Sequence, residues 1–125
     1  MAGETILIVE DNDVLREGLE AILVTEGYSV LTAGNGMGGL EQMKSLPPDL
    51  ILADISMPEM NGYDFFEAVR AQPEWVSIPF IFLTAKGEKQ DEYEGFRRGV
   101  DEYITKPHDK HLLVATISRI LGGPQ

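Results

Sequence analysis

Apolar residues occur along this chain in two alternating forms, short unbroken runs and repeats at helical spacing. The unbroken runs Thr5 to Val9 (TILIV), Leu50 to Ala53 (LILA) and Phe80 to Leu83 (FIFL) read as strands, and so do the mixed segments Tyr28 to Ala33 (YSVLTA) and Glu102 to Thr105 (EYIT). After the first run, Asp13 is placed to cap a helix in which Leu15, Leu19, Ile22 and Leu23 share one face until Gly27 stops the pattern. A glycine-dense turn follows the segment Tyr28 to Ala33 and leads into a short helix from about Leu40 to Leu46, closed by Pro47 and Pro48. Tyr63 to Ala71 is helical by its period, with Tyr63, Phe66 and Val69 on one side. Glu88 to Arg98 has acids early and arginines late, as the helix dipole favours. Gly95 and Gly99 weaken that helix, since each glycine in a helix interior costs about 1 kcal/mol relative to alanine. The last helix, Asp109 to Leu121, is expected to bury Leu113, Ile117, Ile120 and Leu121 and to end at Gly122 and Gly123.

Five strands alternating with five helices predict an α/β domain, doubly wound, with a parallel sheet covered on both faces by right-handed crossovers. At 125 residues the chain is one domain, and a domain of this size buries about two thirds of the surface that its unfolded form exposes. The pattern shows no internal repeat. Residues 1–121 form the expected domain, and the closing Gly122–Gly123–Pro124–Gln125 resembles the start of a linker.

Composition narrows the chemistry. The chain has no cysteine, which excludes thiol chemistry and gives no sign of an oxidising compartment. The opening MAGETILIV has neither a basic region nor a cleavable apolar stretch, and no apolar run approaches the roughly 20 residues of a membrane helix. A soluble, cytoplasmic protein is expected, with no membrane partner. A formal net charge of −11 argues against direct binding of nucleic acid, which needs clustered Lys and Arg. It leaves the question of what the excess carboxylates surround.

Sorting polar residues by position gives an answer. Glu10 and Asp11 end the first strand, Asp54 the third, Thr84 the fourth and Lys106 the fifth. Parallel strands deliver their carboxyl ends to one edge, where open α/β sheets bind ligands. Three carboxylates gathered there repel one another unless a cation lies among them. Oxygen donors suit Mg²⁺, which commonly binds together with a phosphoryl group. Asp54, on the middle strand, is then the carboxylate placed to attack phosphorus. Glu10 and Asp11 would hold the metal with Asp54, Ser56 would lend its backbone carbonyl, and Thr84 and Lys106 would contact the phosphoryl oxygens.

At these residues the chain resembles the receiver domain of two-component response regulators, of the chemotaxis-receiver kind. The resemblance spans about residues 4–121 and rests on VEDN (Val9 to Asn12), DISMPEMNG (Asp54 to Gly62), LTA (Leu83 to Ala85) and GVDEYITKP (Gly99 to Pro107). It implies a flavodoxin-like (βα)5 fold with strand order 2-1-3-4-5 and a switch that is not itself an enzyme. It further implies Glu10 and Asp11 as the acidic pair, Asp54 as phosphoacceptor, Thr84 and Tyr103 as the switch pair, Lys106 as the phosphate-sensing ammonium and a cis peptide before Pro107. The implied partners are a histidine kinase or histidine phosphotransfer protein, and a downstream partner or output domain on the face of the helix Glu88–Arg98, the fifth strand and the last helix. The domain would be a monomer or a phosphorylation-dependent dimer.

The match has departures. His108 stands where the family usually has Phe, and Ser56 and Lys86 occupy variable positions beside the site that are expected to tune the lifetime of the phosphoryl group. Glu92 and Leu112 stand where receivers that drive winged-helix domains carry a basic and an acidic residue, which does not match the usual dimer network. Three other readings compete. Gly34, Gly36 and Gly39 fit G-x-G-x-x-G with Asp54 downstream, as in a dinucleotide site, although the turn follows the second strand rather than the first. Asp11, Asn12 and Asp13 imitate the D-x-D start of phosphohydrolases that form an aspartyl phosphate, although no cap domain fits in the chain. A degenerate receiver used only for docking is the third.

Overall fold

The computed structural model describes residues 3–84, 100–105 and 109–122. Its five strands are β1 (Thr5–Val9), β2 (Ser29–Ala33), β3 (Leu50–Asp54), β4 (Phe80–Thr84) and β5 (Glu102–Thr105), and all of them pair in parallel in the order β2-β1-β3-β4-β5. This is the doubly wound α/β fold expected from the sequence. The helices among the described residues are α1 (Asp13–Thr25), α2 (Gly36–Ser45), α3 (Gly62–Arg70), a single 3-10 turn at Pro73–Trp75, and α4 (Lys110–Ile120). The helix expected over Glu88 to Arg98 lies outside the described residues.

Alternation along the central strands splits the core in two. Leu7, Val9, Ile51, Ala53, Phe80 and Phe82 face the side covered by α2 and α3, where they meet Met43, Phe65, Phe66, Val69 and Trp75. Ile6, Ile8, Leu50, Leu52, Ile81 and Leu83 face the other side and meet Leu19 and Leu23 of α1 with Leu113 and Ile117 of α4. Burial on both faces explains why β3 and β4 read as unbroken apolar runs.

Three local expectations need correction. The cap of α1 is Asn12 rather than Asp13, because the Asn12 side chain accepts from the Leu15 N–H at 2.9 Å. Helix α2 begins at Gly36, inside what reads as a turn and four residues before the expected Leu40. Asn35 caps it by accepting from the Gly38 N–H at 2.7 Å, and tertiary packing outweighs the glycines' poor propensity. A Cβ on Gly36 would stand 2.5 Å from Met60 Sδ, and one on Gly39 would stand 2.9 Å from Phe65 Cε1. Those glycines let α2 lie close to the β3–α3 segment, a packing origin for the G-x-G-x-x-G pattern. Finally, Ile120 and Leu121 are only half-buried, while Thr116 is buried in their place.

Candidate functional site

The site follows from register. Val9 pairs with Ala53, so the next residue, Glu10, emerges level with Asp54, and Asp54 pairs with Leu83, one residue before Thr84. Glu10 and Asp54 are buried and Asp11 is exposed, and their carboxylate oxygens lie within 4.8 Å of one another. The structure thus brings together the three acids that the sequence places at strand ends. Thr84 is buried at the end of β4. Ser56 is exposed in the loop after β3, and its N–H donates to Asp54 Oδ1 at 3.2 Å.

Tyr103 is half-buried on β5, its ring centroid 5.8 Å from that of Phe82. Phe82 also stacks edge-on with Tyr63 at 5.2 Å and Phe80 at 5.1 Å, so Tyr103 ends a row of aromatic contacts running through the core. Lys106, together with Lys86, Glu92, Pro107 and His108, lies outside the described residues.

Several residues to which the sequence gives no site role of their own also shape this edge. Gly62 opens α3 directly against the end of β3, where an added Cβ would stand 2.5 Å from the Asp54 carbonyl oxygen and 2.7 Å from Ile55 Cα. Its N–H donates to the Ile55 carbonyl at 2.8 Å. No side chain larger than hydrogen fits without moving the backbone that carries Asp54. Within the same loop Glu59 has φ of 67°, and the Met60 N–H donates to the Pro58 carbonyl at 2.8 Å, closing a tight turn around it. A non-glycine residue in the left-handed region costs about 1–2 kcal/mol, and such strain gathers at functional loops. On the other flank, the Asn12 N–H donates to Glu10 Oε2 at 3.1 Å. Arg16 donates from Nη1 to the Glu10 carbonyl at 2.8 Å and from Nη2 to Asp13 Oδ1 at 2.6 Å. The i,i+3 spacing of Asp13 and Arg16 is the signal that could have found this pair.

Chemically, the donor set is three carboxylates around one point, which is the ligand preference of a hard divalent cation such as Mg²⁺. Asp13, the second acid of the D-x-D pattern, is not part of that cluster. Its side chain is 76% exposed and tied to Arg16. Asp11, the position a phosphohydrolase of that type would use as nucleophile, is exposed, whereas Asp54 sits in the buried centre of the site.

A parallel sheet of this order with an acidic pocket at its carboxyl edge defines a flavodoxin-like α/β protein with a phosphate-type or cation-type site. Sequence comparison is more specific: residues 6–118 match the response regulator receiver domain, and the chain belongs to that family. It is a signalling module rather than an enzyme in its own right. Protein PilH of Pseudomonas aeruginosa is 37% identical over 118 residues, which are 94% of this chain and 98% of PilH. The chain spans about half the length, 51–53%, of transcriptional regulatory proteins that it matches at 35–38% identity. Among solved structures, the Vibrio cholerae chemotaxis protein CheY4 superimposes with a TM-score of 0.89 at 30% identity, covering 94% of this chain and 98% of that one. The receiver domain of the sensor histidine kinase PA1611 from Pseudomonas aeruginosa superimposes with a TM-score of 0.88 at 31% identity, covering 97% and 99%. That structure holds a magnesium ion in its active-site cleft. Among the described residues of the present chain no helix is long and apolar enough to cross a membrane.

Proposed function

We propose that this chain is a phosphorylation-dependent switch that accepts a phosphoryl group on Asp54 from the phosphohistidine of a histidine kinase or a histidine phosphotransfer protein. The observation that carries the reading is the trio of Glu10, Asp11 and Asp54, with carboxylate oxygens within 4.8 Å of one another at the carboxyl edge of a receiver sheet. In the transfer, an Asp54 carboxylate oxygen forms the new P–O bond as the P–N bond to the partner's imidazole breaks, and the histidine takes back its electron pair. Glu10, Asp11 and Asp54, with the Ser56 backbone carbonyl, are the residues proposed to hold Mg²⁺. When bound, the ion supplies charge neutralisation for the phosphoryl oxygens.

The chain's own residues do the rest. Asp54 is fixed as the last residue of a wholly buried strand, and the Ser56 N–H at Oδ1 orients its carboxylate. Thr84 is proposed to donate its hydroxyl to the phosphoryl group, and Lys106 its ammonium. Movement of Thr84 would open space for Tyr103 to turn inward and re-aim the surface of the fifth strand and its flanking helices toward a downstream partner or output domain. Shifting such a two-state equilibrium from 1:99 to 99:1 takes about 5.5 kcal/mol of differential interaction. A phosphoryl dianion contacted by Lys106 and Thr84 beside a divalent cation is of the right strength. Residues 1–121 constitute the proposed receiver and residues 122–125 a tail or the start of a linker, in a cytoplasmic protein that works as a monomer or a phosphorylation-dependent dimer, without direct contact of this domain to nucleic acid.

Incubation with acetyl phosphate and Mg²⁺ followed by intact-mass measurement tests the reading. The expected result is a mass gain of one phosphoryl group that is lost in Asp54→Ala and in the presence of EDTA. A gain that persists in Asp54→Ala would overturn the assignment.

A further inference from the structure

The acidic pair is held in place from outside the site. Glu10 is held through both of its backbone polar groups: its N–H donates to the Ala33 carbonyl at 3.0 Å, and its carbonyl, which belongs to the peptide joining it to Asp11, accepts from Arg16 Nη1 at 2.8 Å. The second arm of the same guanidinium binds Asp13 Oδ1 at 2.6 Å, and Asp13 begins the helix on which Arg16 itself stands. Nη1 lies 3.5 Å from where a Cβ on Gly34 would be, so the fork sits in the groove between the β1–α1 and β2–α2 turns. Its side chain is only 20% exposed, although three of the four residues before it, Asn12, Asp13 and Val14, are exposed and solvated. A planar fork that bridges a strand-end carbonyl and a helix-start carboxylate sets the plane of the peptide on which Asp11 is carried.

We infer that Arg16 is a positioning residue for divalent-cation binding: its bond to the Glu10 carbonyl fixes the Glu10–Asp11 peptide and so aims the Asp11 carboxylate at the point shared with Glu10 and Asp54. This rests on the reading of those acids as a cation site given above. Arg16 touches neither the cation nor the phosphoryl group. It also places a positive charge near a cation site, which by itself opposes binding, and the two effects predict opposite signs when Arg16 is removed. Positioning dominates, because second-sphere bonds to ligand-bearing groups typically change metal affinity about 10-fold to 100-fold, while a partly solvated charge is screened.

The test is calorimetric titration of Mg²⁺ into the full chain at constant ionic strength, for the parent and for Arg16→Gln, Arg16→Lys and Asp13→Asn, with urea unfolding in EDTA measured in parallel. Arg16→Gln is expected to weaken Mg²⁺ binding about tenfold. Arg16→Lys keeps the charge without the fork and is expected to weaken it by a similar factor. Asp13→Asn leaves the bond to Glu10 in place, and it is expected to show a smaller loss in the same direction. It also keeps the inference testable should Arg16→Gln not fold. A merely structural arginine would lower the unfolding midpoint in EDTA and leave the affinity of the folded chain unchanged, and that result overturns the inference. So does tighter binding in Arg16→Gln, which would mean that charge repulsion dominates, or parent-like affinity in Arg16→Lys. Failure of the parent itself to bind Mg²⁺ would be a different outcome, since it removes the cation site and this inference with it.

Discussion

The two ends of the sheet both bring charged side chains close to the core, and they do so in opposite ways. At the amino edge the charges are matched. The Arg70 guanidinium lies 5.0 Å from the Phe66 ring centroid, donates to the Trp75 carbonyl at 3.2 Å and approaches Asp101 Oδ2 at 3.9 Å. Asp101 in turn accepts the Phe80 N–H at 2.7 Å and returns its own N–H to the Phe80 carbonyl at 3.0 Å. Burial pulls the Arg70 pKa below its ordinary value, and the nearby Asp101 carboxylate works against that shift. At the carboxyl edge three carboxyl groups are gathered instead, with oxygens within 4.8 Å of one another, beside a strained Glu59 and a Gly62 with no room for a side chain. The first arrangement stabilises the fold that it belongs to. The second gathers carboxylate donors around one point, which is the donor set a hard divalent cation prefers.

The contrast can be broken by substitution. The largest effect is expected from Gly62→Ala, because the new methyl group collides with backbone rather than with a movable side chain. Urea unfolding should show a loss of about 2–3 kcal/mol, in the range for overpacking, together with weakened Mg²⁺ binding as the Asp54 backbone shifts. Unchanged stability and Mg²⁺ affinity would show that the β3–α3 junction is looser than its geometry implies. Next, Asp101→Ala should cost about 2 kcal/mol, since it strands the Phe80 N–H and separates Arg70 from its carboxylate. It should leave Mg²⁺ affinity at the parent value, which is what separates the structural edge from the functional one.

The smallest of the three is the most diagnostic. Mg²⁺ at ten times its dissociation constant should raise the parent's stability by about 1.4 kcal/mol through linkage alone. Glu10→Gln should abolish most of that increment, while in EDTA its unfolding midpoint should stay close to the parent's, because it removes a proposed cation ligand and keeps the side chain's shape. If Glu10→Gln were simply less stable under both conditions, the carboxyl edge would be a structural cluster like its counterpart.

Much of this could be read from the sequence, for physical reasons that also explain what could not. β1 falls at its expected residues, and β3 and β4 each run one residue past theirs, because a strand buried among neighbours has an unbroken apolar run. The acids Glu10, Asp11 and Asp54 could be brought together on paper because parallel strands share a carboxyl edge. Helix α2 was misplaced at its start because Gly36 and Gly39 look like a turn until Met60 and Phe65 are seen against them. Phe65 was missed as a core residue because the apolar face of α3 is wider than the single row of Tyr63, Phe66 and Val69. The roles of Arg16 and Gly62 were hidden for a different reason. Spacing points to the Asp13–Arg16 pair but not to the backbone carbonyl that Arg16 also holds, and Gly62 acts through the absence of a side chain.

The most direct measurement of the central claim is chemical mapping of the acceptor. After exposure to acetyl phosphate and Mg²⁺, borohydride reduces an acyl phosphate to the alcohol, so a phosphorylated aspartate becomes homoserine and its peptide can be sequenced by mass spectrometry. Homoserine at position 54, absent when Mg²⁺ is withheld, is the expected result. Homoserine at position 11 would contradict it, and would mean that the exposed acid at the end of β1 is the nucleophile and the buried one at the end of β3 is not.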